Sequence, residues 1–116
     1  MLYAKNVALI KDFMDAFNRH NLEEAMSYVA DDAILVTIGD KRIEGWQDIK
    51  DYLSGFFKEA PNVKGNLKSA LFATDEWGFA EWTITGAGPQ EINGGDLFAF
   101  KNGRITQFGG FAKQSS

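Results

Sequence analysis

The chain has 116 residues and no cysteine, which excludes disulfide bonds, thiolate catalysis and cysteine-ligated metal sites. Its length suits one domain, residues 1–116, with an ordinary hydrophobic core. The net charge of -4 has the wrong sign for a protein that binds nucleic acid through phosphates, and no apolar run approaches the length of a membrane span. We therefore expect a cytoplasmic protein that binds neither nucleic acid nor membranes.

The sequence gives no sign of a metal or cofactor site. His20 is the only histidine, so sites that need two imidazoles are excluded, and its polar surroundings predict an exposed cation at a helix end. The stretch Gly86-Ala87-Gly88 is followed by Pro89 and not by a helix, so it does not have the form of a phosphate-binding loop. We expect no metal and no organic cofactor.

Two helices are predicted at the start of the chain. Apolar residues from Tyr3 to Phe17 recur at alternating steps of four and three, which is typical of an amphipathic helix, and this helix should end near His20. Asn21 and Glu24 have the spacing of a capping box. That pair predicts the start of a short second helix.

A strand pair and a third helix follow. Residues 33–38 are too short and too rich in β-branched side chains for a helix, and Gly39-Asp40 supplies turn chemistry before a brief returning strand through Arg42-Ile43. Apolar residues then return to helical spacing, beginning after Gly45 and ending at Pro61. The sequence therefore predicts a hairpin between the second and third helices.

From Lys64 onward the apolar period changes to two, which predicts four strands. They are separated by Asp75-Glu76, by residues 86–93 and by Lys101-Asn102-Gly103, and the last of these has the Asn-Gly pair typical of a hairpin. The order of elements indicates an α+β fold in which the helices pack on one face of a curved sheet.

Alternation places apolar side chains on both faces of the last three strands. The first face carries Ala80, Trp82, Ile84, Asp96, Phe98, Phe100, Phe108 and Gly110, and the second carries Trp77, Phe79, Glu81, Leu97, Ala99, Ile105 and Phe111. Helices would cover the first face, and a second copy of the chain is the economical cover for the second, which predicts a homodimer. The alternative is that the second-face rings are scattered surface hydrophobes or lie under loops.

Asp96 is the polar residue that stands out on the first face. A carboxylate among Trp82, Phe98 and Phe108 is costly to desolvate unless it is protonated, hydrogen-bonded or lines a wet cavity. Because no Lys or Arg can be assigned to the same cavity, we expect its pKa to lie above the usual value of about 3.9. The alternative is a frayed strand start after Asn93, where Asp96 is solvated or caps a turn.

The spacing of several short motifs points to a known superfamily. They are Ala16-Phe17-Asn18, residues 21–25, Ala30-Asp31-Asp32-Ala33, Gly45 with Ile49 and Tyr52, and residues 95–105. In these motifs the chain resembles the nuclear transport factor 2-like (NTF2-like, cystatin-like) superfamily, in particular its SnoaL-like and ketosteroid isomerase-like branch. The resemblance implies a cone-shaped α+β fold, with three N-terminal helices packed on a curved, mostly antiparallel mixed sheet that encloses a pocket. It does not decide the function, because the superfamily contains enzymes, binding modules and assembly domains.

The resemblance is selective at the positions that carry chemistry. Ketosteroid isomerases use a tyrosine in the first helix, an aspartate in the first strand and an aspartate in an Asp-x-Phe-x-Phe strand, and the matching positions here are Phe13, the vicinity of Thr37, and Asp96. SnoaL-like cyclases rely mainly on one carboxylate in an aromatic cavity, and Asp96 lies on the matching strand. The arginine-aspartate pairs of the related epoxide hydrolases have no counterpart.

Two functions from different classes remain open. The first is a cofactor-independent isomerase, cyclase or lyase in which Asp96 moves a proton on a small hydrophobic substrate. The pocket would be formed by Phe13, Phe17, Thr37, Tyr52, Phe56, Trp82, Phe98 and Phe108. The second is a non-catalytic ligand carrier or dimeric association module, which the losses at Phe13 and Thr37 favour.

Overall fold

The structure is a computed structural model that describes the backbone of residues 2–113 and the side chains of residues 4–113. Tyr3, predicted in the first apolar stripe, therefore lies outside the described side chains. The elements are α1 (Leu2–Asn18), α2 (Leu22–Ser27), β1 (Val29–Val36), β2 (Arg42–Glu44), α3 (Trp46–Glu59), β3 (Lys64–Ala73), β4 (Trp77–Thr85), β5 (Ile92–Lys101) and β6 (Arg104–Ala112). Their order is the predicted one.

The six strands form one mixed sheet with the order β2-β1-β6-β5-β4-β3. β1 and β6 run parallel, and the other neighbouring pairs are antiparallel. Helix α1 packs on β3 and β4, and α3 packs on β1 and β2, so the helices cover one face, the inner face. The predicted α+β architecture, with helices packed on a curved and mostly antiparallel mixed sheet, is confirmed.

Helix α1 is held by its buried apolar stripe and by hydrogen bonds where it ends. Ile10, Phe13 and Met14 are buried against the sheet. Where the helix ends, the Asn18 side chain donates a hydrogen bond to the Gly65 carbonyl (2.9 Å) and accepts one from the Gly65 N–H (2.8 Å). Because Gly65 lies on the edge strand β3, this amide supplies the pairing that a further strand would give.

The turn after α1 corrects one expectation. His20 adopts a left-handed backbone (φ 55°), which turns the chain back toward α3. Its ring is half-buried, stacks on Phe57 with 4.3 Å between centroids, and places Nε2 2.7 Å from the Val63 carbonyl oxygen. The predicted exposure is therefore wrong, although the helix does end there. Asn21 caps α2 as predicted, accepting a hydrogen bond from the Glu24 N–H at 3.1 Å.

A bulge in β6 corrects a second expectation. Ile105 pairs with Phe100, but Gln107 pairs with Ala99, so Thr106 is an extra residue in the ladder. The extra residue reverses the alternation, and Ile105 lies on the inner face, fully buried. Its predicted place on the second face is wrong. β1 also begins before the predicted segment, because Val29 pairs with Ile105 ahead of an irregular stretch.

The outer face of the sheet keeps the other predicted rings and adds one that the alternation argument did not include. We use this name for Phe72, Trp77, Phe79, Leu97 and Phe111. Four of them are about half exposed: Phe72 (59 %), Trp77 (52 %), Leu97 (53 %) and Phe111 (46 %). Phe79 lies between Phe72 and Phe111, with centroid distances of 5.6 and 6.1 Å. The described residues of the chain leave this apolar surface uncovered.

Candidate functional site

A cavity of about 500 Å³ lies between the helices and the inner face of the sheet. Its lining includes all but one of the residues predicted for the pocket: Phe13, Phe17, Thr37, Tyr52, Phe56, Trp82, Asp96 and Phe108. The exception is Phe98, which is fully buried in the core and stacks between Phe100 (6.2 Å) and Phe108 (6.5 Å). Phe98 therefore supports the wall of the cavity from behind.

The cavity also has lining residues that the sequence analysis did not predict. They are Met14, Leu35, Val36, Ile38, Gly39, Leu53, Gly65, Ile84, Ala87, Ile92 and Gly110. Alternation predicts Ile84 and Gly110 on the same face as Asp96, so their place in the cavity wall follows from the sequence pattern. Ile38 and Gly39 are exposed and form the rim of the cavity. They lie in the turn between β1 and β2, where sequence periodicity does not predict which way a residue points.

Asp96 occupies a central position on the inner face. It lies within β5, four residues after the strand begins at Ile92, so the alternative of a frayed strand start is wrong. Its two neighbours across the sheet are Ala80 on β4 and Gly110 on β6. A Cβ atom added to Gly110 would lie 2.5 Å from Oδ1 of Asp96, which is closer than atoms of this kind approach. The small residues on both sides leave the carboxyl group open to the cavity.

The Trp82 indole lies over a second small residue. Trp82 pairs with Gly94, and a Cβ atom added there would lie 2.9 Å from the Cη2 atom of Trp82. The missing side chain lets the indole lie across β5 toward β6, where its Cζ2 atom is 3.1 Å from the position of a Gly110 Cβ. In this orientation the Trp82 side chain lies beside Asp96, and its N–H favours the charged form of the carboxyl group.

The surroundings of Asp96 change its acidity. Burial disfavours the charged form and raises its pKa from 3.8 to about 6, while the hydrogen bond from Trp82 opposes the shift with a smaller effect. The predicted direction is confirmed. Asp96 is half-buried in the static structure because it lines the cavity, which leaves the carboxyl group accessible from that side. An accessible carboxyl group with this pKa can donate or accept a proton near neutral pH.

Phe13 and Thr37, at the other two positions that carry chemistry in ketosteroid isomerases, have side chains that do not ionise near neutral pH. Phe13 is buried and makes an edge-to-face contact with Phe108 at 5.2 Å. The Thr37 hydroxyl oxygen accepts a hydrogen bond from the Lys41 N–H at 3.1 Å, which ties it into the turn. Neither side chain offers a base, so any proton transfer by an ionised side chain in this cavity depends on Asp96.

Residues 2–113 contain neither a metal-binding cluster of side chains nor a membrane-spanning helix. No three of their His, Asp and Glu side chains are clustered in a way that could hold a metal ion. None of the helices in this part of the chain is long and apolar enough to cross a membrane.

Solved structures resemble this fold along most of its length. Bal32a, from a soil-derived mobile gene cassette, has 18 % identity and a TM-score of 0.88, with 98 % of this chain and 93 % of that chain covered. A proposed ketosteroid isomerase from Kribbella flavida has 18 % identity, a TM-score of 0.85 and coverage of 98 % and 82 %. A proposed polyketide cyclase from Xanthomonas campestris pv. campestris has 18 % identity, a TM-score of 0.83 and coverage of 97 % and 93 %. At such identities the likeness shows the fold alone.

Sequence comparison identifies the family. No curated protein matches the sequence. The model of the SnoaL-like domain matches residues 10–108, which include the second half of α1, the sheet up to Phe108, and Asp96. The chain therefore belongs to the SnoaL-like domain family.

Proposed function

We propose that the protein is a cofactor-independent isomerase, cyclase or lyase in which Asp96 transfers a proton to or from a small hydrophobic substrate. One observation carries the proposal: Asp96 is the one carboxyl group among the residues that line the cavity, and its pKa lies at about 6. A carboxyl group with that pKa is populated in both protonation states near neutral pH, as an acid or base must be.

The cavity supports the choice of substrate class. Its volume of about 500 Å³ lies in the range of small-molecule sites, and its lining is mainly aromatic and aliphatic. The side-chain polar groups besides Asp96 are the Tyr52 and Thr37 hydroxyls and the Trp82 N–H. A substrate would be held mainly by apolar contact, and these few polar groups would orient it toward Asp96.

The test uses a ketone with an acidic C–H bond, because the natural substrate is not identified. 2-Tetralone in D₂O exchanges its α-protons when a base removes them, and NMR follows the exchange directly. We expect the protein to accelerate exchange in a saturable way, and Asp96→Asn to lower the rate by about 100-fold or more, since that is the usual contribution of a general base.

The matched control is Asp40→Asn. Asp40 is an exposed aspartate in the turn at the rim of the cavity, and its left-handed backbone (φ 66°) is one that asparagine tolerates. The control makes the same change in net charge but should leave exchange unchanged. A bound ketone that exchanges no faster than it does with free acetate would contradict the proposal.

A non-catalytic ligand carrier is the second candidate. The observation in its favour is that Phe13 and Thr37 occupy the positions where ketosteroid isomerases carry their oxyanion donor and base. A carrier would bind the ketone with the same affinity in the wild type and in Asp96→Asn, and neither protein would accelerate exchange. The exchange experiment therefore separates the two candidates.

We also propose that two copies of the chain associate through the outer face. Four large apolar side chains there are about half exposed, and a second copy related by a two-fold axis would bury them against the same surface. Phe79 sits at the centre of this surface, between Phe72 and Phe111. The cavity opens on the opposite face of the sheet, so association would leave it accessible.

A further inference from the structure

The cavity contains a carboxyl group, and no basic side chain among its lining residues can neutralise it. Of the residues that line it, Asp96 is the one carboxyl group, Tyr52 on α3 is the other titratable group, and none is Lys, Arg or His. The facing residues on α1, β4 and β6 are Phe13, Trp82 and Gly110, which carry no charge. When Asp96 ionises, its charge is therefore left in an apolar cavity with the Trp82 N–H nearby but no counter-charge.

Two basic side chains of the sheet form ion pairs elsewhere. Lys113 donates to Glu81 at 2.6 Å, and Arg42 donates to Glu44 at 3.0 Å on β2. Neither Lys113 nor Arg42 lines the cavity. A positive charge next to the Asp96 carboxylate would have to come from a ligand.

Aromatic rings surround the same space. Six lining residues carry them: Phe13, Phe17, Tyr52, Phe56, Trp82 and Phe108. The face of an aromatic ring attracts a cation placed within about 6 Å of its centre, and the attraction is stronger where water is excluded. The same ring face repels an anion, so the rings and the carboxylate favour the same sign of charge.

We propose that the cavity also binds hydrophobic organic ammonium ions, with the cationic group beside Asp96 and the apolar part among the six rings. The inference rests on the cavity of the proposed function but not on catalysis. A cation would neutralise the carboxylate that the protein leaves uncompensated, whereas a neutral ligand of the same shape would gain apolar contact alone. An organic anion would meet the carboxylate and find no basic side chain.

The experiment compares three probes that differ in charge. Phenyltrimethylammonium and tert-butylbenzene have nearly the same shape, and benzenesulfonate supplies a negative charge on a similar ring. We expect the cation to bind about tenfold more tightly than tert-butylbenzene at pH 7.5, measured by NMR titration, and the sulfonate to show no saturable binding. Because the quaternary ammonium group has no N–H, the comparison isolates charge from hydrogen bonding.

Two variants and one pH change locate the charge that is responsible. Asp96→Asn should remove most of the preference for the cation, whereas Asp40→Asn, at the rim, should keep it and so controls for the overall negative charge. Lowering the pH from 7.5 to 5.0 should weaken binding of the cation by about tenfold, because an acid with a pKa of about 6 is then mostly protonated. Binding of tert-butylbenzene should not change with pH.

Each outcome has a distinct meaning. Equal affinities for phenyltrimethylammonium and tert-butylbenzene would overturn this inference but leave the cavity as a binding site. A preference for the cation that is undiminished in Asp96→Asn would overturn it too, because the carboxylate would then contribute nothing to the choice of charge. If neither probe binds, both the inference and the proposed hydrophobic substrate site are wrong.

Discussion

Gly110 lies directly opposite Asp96 in the β5–β6 pair, so close that an added Cβ atom would lie 2.5 Å from Oδ1. The position of the carboxyl group in the cavity therefore depends on a neighbour that has no side chain. Trp82 contributes to the same arrangement, because its Cζ2 atom would lie 3.1 Å from that added atom. The Asp96 carboxyl group and the Trp82 indole therefore both pack against Gly110.

Gly110→Ala should destabilise the protein and move the acid. We expect a loss of about 1 to 3 kcal/mol in the free energy of unfolding, the usual cost of an overpacked site. Urea denaturation measures it. The same substitution in an Asp96→Ala background should cost less, because the carboxylate oxygen is then absent. Equal costs in both backgrounds would show that the crowding does not involve Asp96.

Asp96→Asn should stabilise the protein at neutral pH. The folded pKa of about 6 exceeds the ordinary value of 3.8, so protonated Asp96 favours the folded state at low pH, and this contribution is lost as the pH rises through about 6. Asparagine stays neutral at every pH. We therefore expect the variant to be on the order of 1 to 3 kcal/mol more stable than the wild type at pH 7.5.

The pH dependence distinguishes this effect from a general gain in stability. At about pH 3.5 both side chains are neutral, and the stabilities of wild type and variant should converge. NMR titration of the Asp96 carboxyl carbon gives the pKa directly. A midpoint at or below the ordinary value would contradict both the predicted stabilisation and the proposed proton transfer.

Two phenylalanines allow a test of which rings are core and which line the cavity. Phe98 is fully buried, and Phe98→Ala should cost about 3 to 5 kcal/mol. Phe17 is half-buried, lines the cavity and contacts Phe57 with 5.1 Å between ring centroids. Phe17→Ala should cost less, on the order of 1 to 3 kcal/mol, because an open cavity already adjoins it. Equal losses in chemical denaturation would argue that the cavity is closed in solution.

Phe79→Glu should prevent self-association. A carboxylate at the centre of a two-fold interface would be desolvated and would meet its own copy. Light scattering at micromolar concentration should give the mass of a dimer for the wild type and of a monomer for the variant. Ile38→Glu is the control, since it places a carboxylate on an exposed apolar residue outside the outer face. A monomeric wild type would end the dimer proposal.

Periodicity was sufficient to predict the elements and part of the cavity wall. The step of three and four residues placed Phe13 and Phe17 on one side of α1, and the step of two placed Trp82, Asp96 and Phe108 on one face of the sheet. These patterns work because burial of one face selects residues at the period of the backbone. Five of the predicted pocket residues were identified in this way.

The failures occurred where local geometry breaks the period. The bulge at Thr106 places Ile105 on the inner face, and the left-handed backbone of His20 places its ring against Phe57. Phe98 has the same alternation as Asp96 but lies in the core, since alternation gives the face of a strand and not the depth along it. The volume of the cavity depends on how far the helices stand from the sheet, which no short sequence pattern encodes.

The double hydrogen bond between Asn18 and Gly65 has a consequence for how a ligand enters. It fastens the end of α1 to β3, and both elements contribute to the cavity wall, so these parts should move together and not separate. The opposite rim is the turn that contains Ile38 and Gly39, which is exposed and has no comparable tie to the helices. Entry and exit of a ligand should therefore depend on motion of that turn, and hydrogen exchange should be slow at Gly65 and fast at Gly39.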